Sequence, residues 1–213
     1  MQRPAESDGR HERSRSTKRK IVVAAIEMFV ADGYGHTSIT AISHRAGVAV
    51  QTVYAAFTNK RTILAAALDQ SIAGDDAAVV INDRDWMNEV FHAPTAARRL
   101  TAYAAAVRRI MSSAGDMFMV VTTAATVDAD IVELAAVTEA RRRSGATSVI
   151  NAVLEVGRLH PGLTTEHAVD VLTMLNSPAT FHHFVRNSGW TLDAYQTWLA
   201  DSMKRELLAN PTR

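Results

Sequence analysis

The sequence predicts an all-α protein, and three observations carry that expectation. Apolar residues recur at i, i+3, i+4 and i+7 in one segment after another. No stretch alternates apolar and polar residues with the period of two that a half-buried strand requires. Glycines, prolines and capping Ser/Thr residues separate the segments at helix-length spacing. The chain has 213 residues, 47% of them hydrophobic, enough to bury a substantial core in one or two domains.

Residues 1–15 (MQRPAESDGRHERSR) are polar and lack hydrophobic periodicity, so they are expected to form a disordered basic arm. A helix is predicted over about 16–31, with Ile21, Val22, Ala25, Met28 and Phe29 on one stripe and Gly33 placed for a left-handed C-terminus. Thr37 or Ser38 can cap a second helix over about 39–46, which stops at Gly47. A third helix spans about 50–57; Ala49 has no side-chain acceptor, so its start is locally weak. Thr58 or Asn59 can cap a fourth helix over about 60–73.

Residues 74–93 read as an acidic connection holding a short helix near Trp86, Met87, Val90 and Phe91. Helices are then expected over about 96–113, 117–126 (broken from its predecessor at Gly115-Asp116), 129–158, 166–187 and 192–209. Pro178 should kink the helix over 166–187, unless that helix is really two.

The charge is nearly balanced, with 23 basic and 22 acidic residues, but it is unevenly placed. Residues 1–62 carry 10 Lys/Arg and 5 Asp/Glu, while the remainder is net acidic. That asymmetry suggests an anionic partner for the first part alone. The absence of cysteine removes disulfides, thiol nucleophiles and thiolate metal sites. No apolar run is long enough for a signal peptide or a bilayer span, and a cytoplasmic location is expected.

The stretch Ser38 to Lys60 is the most informative. Two short helices meet at the tight turn Ala46-Gly47-Val48. Ile39, Ile42, Ala46, Val48, Val53 and Phe57 can close a small core, which leaves Thr40, Gln51, Thr52, Tyr54 and Lys60 facing outward. This is the layout of a helix-turn-helix, whose second helix enters the DNA major groove. Gln51 can pair with adenine and Thr52 can meet a thymine methyl. Tyr54 can reach a phosphate, and Lys60 opens the fourth helix, where its ammonium and the free N–H groups both attract phosphate.

The run Ala31-Asp32-Gly33-Tyr34-Gly35-His36-Thr37-Ser38, then Ala46-Gly47-Val48, then Thr52-Val53-Tyr54-Ala55-Ala56-Phe57-Thr58-Asn59-Lys60 resembles the DNA-binding domain of the TetR family of bacterial transcriptional regulators. The resemblance implies an all-α fold of about nine helices. It would comprise an N-terminal three-helix helix-turn-helix DNA-binding domain over 16–62 and a helical effector-binding and dimerisation domain over 63–213. It implies DNA contacts at Ser38, Thr40, Gln51, Thr52, Tyr54 and Lys60. It further implies a homodimer on a palindromic double-stranded DNA operator, released by a small-molecule effector, with repression as the expected role. Ala49, Ala55 and Ala56 depart from the larger or polar residues usual there. Base readout should therefore be sparse, and binding should lean on phosphate contacts and DNA shape.

In such proteins the last two helices pair between subunits, which implicates Val171, Leu175, Phe184, Trp198 and Leu199. The helices facing the domain interior carry Trp86, Phe91, Tyr103, Met111, Phe118, Met119, Asn176, His182 and His183 as effector-pocket candidates. Adjacent histidines point about 100° apart on a helix, so no metal site is expected at His182-His183, and no cofactor is implied. Arg141-Arg142-Arg143 reads as a solvated basic face pairing with Glu139 or nearby acids. No GxSxG, P-loop, HExxH or GxGxxG motif is present, and no enzymatic role is expected. Two alternatives stay open. One is a non-specific or architectural DNA binder. The other is a helical ligand-binding protein or enzyme with a vestigial helix-turn-helix.

Overall fold

The structure, a computed structural model, describes residues 5–74 and 84–209. Residues 75–83, the middle of the expected acidic connection, lie outside the described residues, as do 1–4 and 210–213. Among the described residues every regular element is helical. The chain divides into two compact units. One takes in the chain through Ile72 together with Met117–Ala135; the other holds Ala73–Asp116 and Ala136–Arg213.

In the first unit, helix α1 spans Ala5–Asp32. The disordered arm expected over 1–15 is therefore corrected from residue 5 onward. Once the buried stripe of Ile21, Val22, Ala25 and Phe29 holds α1 in place, each further residue adds a backbone bond without the cost of a new nucleus. The chain ends α1 through Gly33, whose N–H donates to Phe29 O at 3.1 Å and whose φ is +80°. Helices α2 (Ile39–Ala46), α3 (Val50–Ala56) and α4 (Lys60–Ala73) follow. Ile42, Val53, Ile63, Leu64 and Ala67 join the α1 stripe in the core.

In the second unit a short turn of 3-10 helix (Asp85–Met87) leads into α5 (Asn88–His92). Helix α6 runs Ala96–Ala125 without a break, and α7 covers Ala129–Val156; both helices pass from one unit to the other. The expected stop at Gly115-Asp116 is thus corrected. Mid-helix glycine costs about 1 kcal/mol relative to alanine, but here the space is used by a ring. A Cβ on Gly115 would lie 3.0 Å from Phe181 Cδ1. Asp116 is occupied as well, accepting from Arg186 at 2.9 Å and lying 2.9 Å from His182 Nε2.

The penultimate segment is two helices, as Pro178 allowed. Helix α8 (Thr165–Leu175) ends at Asn176, and α9 (Pro178–Phe181) restarts with Ser177 as its cap. Proline at the first helical position has no N–H to waste and a pre-set φ. Residues His182–Asn187 continue as a π-helix, and α10 (Leu192–Leu207) follows. The end of α10 is tied back by His160 N–H donating to Leu207 O at 2.8 Å and Ala209 N–H to Arg158 O at 3.2 Å.

Candidate nucleic-acid interface

Local chemistry shapes the α2–α3–α4 stretch. Ser38 caps α2, its hydroxyl accepting from Ala41 N–H at 3.0 Å. Gly47 takes a φ of +66° and closes α2, donating to His44 O. That φ is left-handed backbone, where a Cβ is strained. Ala49 makes no side-chain cap on α3. Asn59 caps α4 by accepting from Thr62 N–H at 2.9 Å.

Two further contacts hold these helices against α1. The buried Thr37 hydroxyl donates to Gly33 O at 2.8 Å. The Arg45 guanidinium donates to Glu27 Oε2 at 2.6 and 3.0 Å. Between α1 and α2 lies a groove of about 620 Å³ lined by Ser38, Thr40, His44 and Arg45 among others.

Of the expected DNA-contacting residues, Ser38, Thr40, Gln51 and Tyr54 are exposed and Thr52 is half-exposed. Tyr54 is 56% exposed, which leaves its ring and hydroxyl accessible at the surface. Lys60 differs from its expected presentation. Its ammonium donates to Tyr34 O at 2.9 Å and sits over the Tyr34 ring, 4.0 Å from the centroid. Partial burial lowers the Lys60 pKa, and Asp128 opposes that shift. Burial and then the nearby carboxylates of Asp128 and Asp130 push the Tyr34 phenol up to about 12.

The second unit holds a buried polar chain. Asn176 donates to Tyr103 OH at 2.7 Å and accepts from Arg142 at 2.7 Å. Arg142 also donates to Thr173 O at 3.0 Å and to Glu139 at 2.7 Å. Its side chain is only 13% exposed. The reading of residues 141–143 as one solvated face is therefore corrected for Arg142, which turns inward to serve Asn176. Arg143 keeps a surface pair with Asp170. Burial pushes the Tyr103 phenol up to about 12. Burial likewise raises the Tyr195 pKa well above its ordinary value, and the Tyr195 hydroxyl is buried without a hydrogen-bond partner. Sequence reasoning missed Tyr195, although its spacing to Leu199 and Met203 on α10 marked a buried stripe.

The other pocket candidates scatter. Trp86 lies under the Arg109 guanidinium, 5.3 Å from the ring centroid. Met111 is buried and Phe91 half-buried. His182 faces Asp116, whereas His183 is exposed. Phe118 and Met119 fall in the first compact unit, apart from the rest. Of the interface candidates, Leu175 and Leu199 are corrected to core. They are 6% and 0% exposed within the single chain, because their helix faces pack inward. Val171, Phe184 and Trp198 stay partly exposed. Phe184 and Trp198 belong to an aromatic cluster, with centroids 4.3 Å apart and Trp190 4.5 Å from Phe184.

Comparison with known proteins places this geometry. Residues 21–67 match the family described as bacterial regulatory proteins, tetR family. No curated protein sequence matches the chain. Solved structures align over nearly its whole length. The fatty acid degradation regulator FadR from Bacillus halodurans is 15% identical with a TM-score of 0.70, over 88% of this chain and 94% of that one. NalD, the secondary repressor of the MexAB-OprM multidrug efflux pump in Pseudomonas aeruginosa, is 21% identical with a TM-score of 0.67, over 92% and 97%. A protein from Saccharomonospora viridis assigned as a transcriptional regulator, solved in complex with choline, is 18% identical with a TM-score of 0.67, over 90% and 97%. At these identities the likeness is one of fold.

Proposed function

We propose, from the premise that residues 21–67 form a TetR-family DNA-binding domain in a chain with the fold of that family's regulators, that this protein is a ligand-responsive repressor. It binds a palindromic operator as a homodimer. The observation that carries the reading is the surface row of exposed Gln51 and Tyr54 with half-exposed Thr52 on α3, which follows α2 with its Ser38 and Gly47 caps. Two copies of α3 enter successive major grooves, about 34–36 Å apart. Ala55 and Ala56 leave few side chains to read bases, so Gln51 and Thr52 carry most of the discrimination.

The dimer forms through the faces of α8 to α10 that carry Val171, Phe184 and Trp198, which keep exposed surface. The effector binds in the second unit beside Tyr103 and Asn176, where buried polar groups lie among apolar residues. Binding favours a state whose α3 helices no longer match the operator spacing. Linkage of roughly 1–3 kcal/mol is the usual size of such coupling. The protein acts without catalysis, in the cytoplasm. No helix among the described residues is long and apolar enough to cross a membrane.

A footprint of the purified protein on the DNA flanking its own gene, repeated with small-molecule candidates, tests this. The expected result is a two-fold symmetric protected site that survives excess random DNA and is lost with one ligand class. Protection that random DNA competes away would mean a non-specific binder, since a regulator keeps a specificity ratio of roughly 10³ or more.

A further inference from the structure

The start of α4 carries two adjacent cations, Lys60 and Arg61, at a helix N-terminus whose free N–H groups add positive potential. The structure sets a carboxylate directly against Arg61. Arg61 Nη1 donates to Glu133 Oε2 at 3.1 Å and to the Asp130 carbonyl at 3.5 Å. Asp128 and Asp130 stand close enough to Tyr34 to raise its phenol, and Asp128 acts on Lys60 as well. Asp128 and Asp130 are held at the helix start. Asp128 accepts from Asp130 N–H at 3.0 Å across the start of α7, and Ile131 is fully buried. All belong to the first compact unit, with 117–135 supplying the acids. Tyr34, Asn59, Lys60, Arg61 and Asp130 line one cavity of about 410 Å³.

We infer that the start of α7 is an acidic shield that sets the protein's affinity for DNA: Glu133 holds Arg61 away from DNA phosphate. The inference rests on the DNA-binding reading above. A phosphate arriving at the first turn of α4 competes with Glu133 for the same guanidinium, and the two anions cannot both pair with it fully. Arg61 is 42% and Glu133 78% exposed. Their pair therefore lies in the weak range of surface ion pairs, about 0–1 kcal/mol. The shield is a tuning device rather than a lock, since DNA can displace it at modest cost. It also makes Arg61 sensitive to any shift of the α6–α7 turn, because Glu133 travels with that turn.

The test uses the full chain and a fluorescent 30-base-pair duplex of random sequence, with affinity followed by anisotropy from low to moderate salt. E133Q should bind about 2–5-fold more tightly, the fold-change equivalent to losing a surface pair of that strength. The gain should vanish when E133Q is made in an R61A background, relative to R61A alone. E206Q removes one negative charge from α10 of the second unit and serves as the control for net charge. Thermal melting checks that each variant is folded. The proposal is overturned if E133Q brings no gain, if the gain persists without Arg61, or if E206Q matches it. Wild-type binding without an E133Q effect sinks the shield alone. Failure of wild type and E133Q alike to bind the duplex at low salt sinks the DNA-binding reading together with it.

Discussion

The α2–α4 stretch and the α8–α10 stretch are both short helices joined by tight breaks, yet they are held in different ways. In the first, starts and stops are set within four residues by Ser38, Gly47 and Asn59. In the second, the caps Thr164, Ser177 and Thr191 are equally local. The path between those caps is decided from elsewhere. Phe181 fills the space over Gly115, Asp116 takes His182 and Arg186, and Arg142 reaches Asn176 from α7. The lesson is that capping chemistry marks where helices begin, whereas distant packing decides how they continue.

The largest expected effect tests that second kind of control. Phe181→Ala removes a fully buried ring facing Gly115 and Tyr195, and should cost about 3–5 kcal/mol in chemical denaturation. A loss under about 1 kcal/mol would show that the contact is not what holds this region.

A smaller effect comes from the buried phenol. The folded-state Tyr103 pKa of about 12 lies above the ordinary value of 10.0. The folded chain then keeps a proton that the unfolded chain loses between those values. The contribution of Tyr103 to stability should be intact below pH 10 and fall as pH rises toward 12, by about 2 kcal/mol near pH 11.5. Tyr103→Phe should flatten that part of the profile; an unchanged slope would remove Tyr103 as its source.

In the α2–α4 stretch the effects are expected to be modest. Ser38→Ala deletes a single cap and should cost about 1 kcal/mol, read as a small drop in the denaturation midpoint. Smallest of all in stability is Tyr54→Ala, within about 0.5 kcal/mol because the ring is 56% exposed. The same change should weaken duplex binding by about tenfold, the scale of one charge-assisted phosphate contact. A variant that loses stability but keeps its DNA affinity would reverse the assignment of Tyr54.

Much of the fold was legible for a physical reason. Apolar periodicity located α1, because that helix buries one stripe, while capping residues and breakers located α2, α4, α7 and α10. The helix-turn-helix could be read residue by residue, since its turn needs Gly47 and its caps act on neighbours. The errors share a cause as well. Residues 5–15 lack an apolar face, so periodicity could not reveal a helix that merely extends α1. Gly115 reads as a breaker until Phe181 lies over it. Leu175 and Leu199 suit an interface or a core equally, and only the packed chain separates the two.

By itself the sequence determined the helical class, the turn at Gly47, a choice of two residues for the caps before α2 and α4, and the presence of Gln51, Thr52 and Tyr54 on the third helix and Lys60 at the start of the fourth. Those features depend on interactions spanning a few residues, which a linear reading can follow. The tertiary structure alone decided that Lys60 rests on Tyr34, 26 residues away. It alone joined Arg142 to Asn176 across 34 residues and Arg61 to Glu133 across 72. A charged side chain has many potential partners in a sequence, and only the packed helices bring one of them within hydrogen-bonding distance.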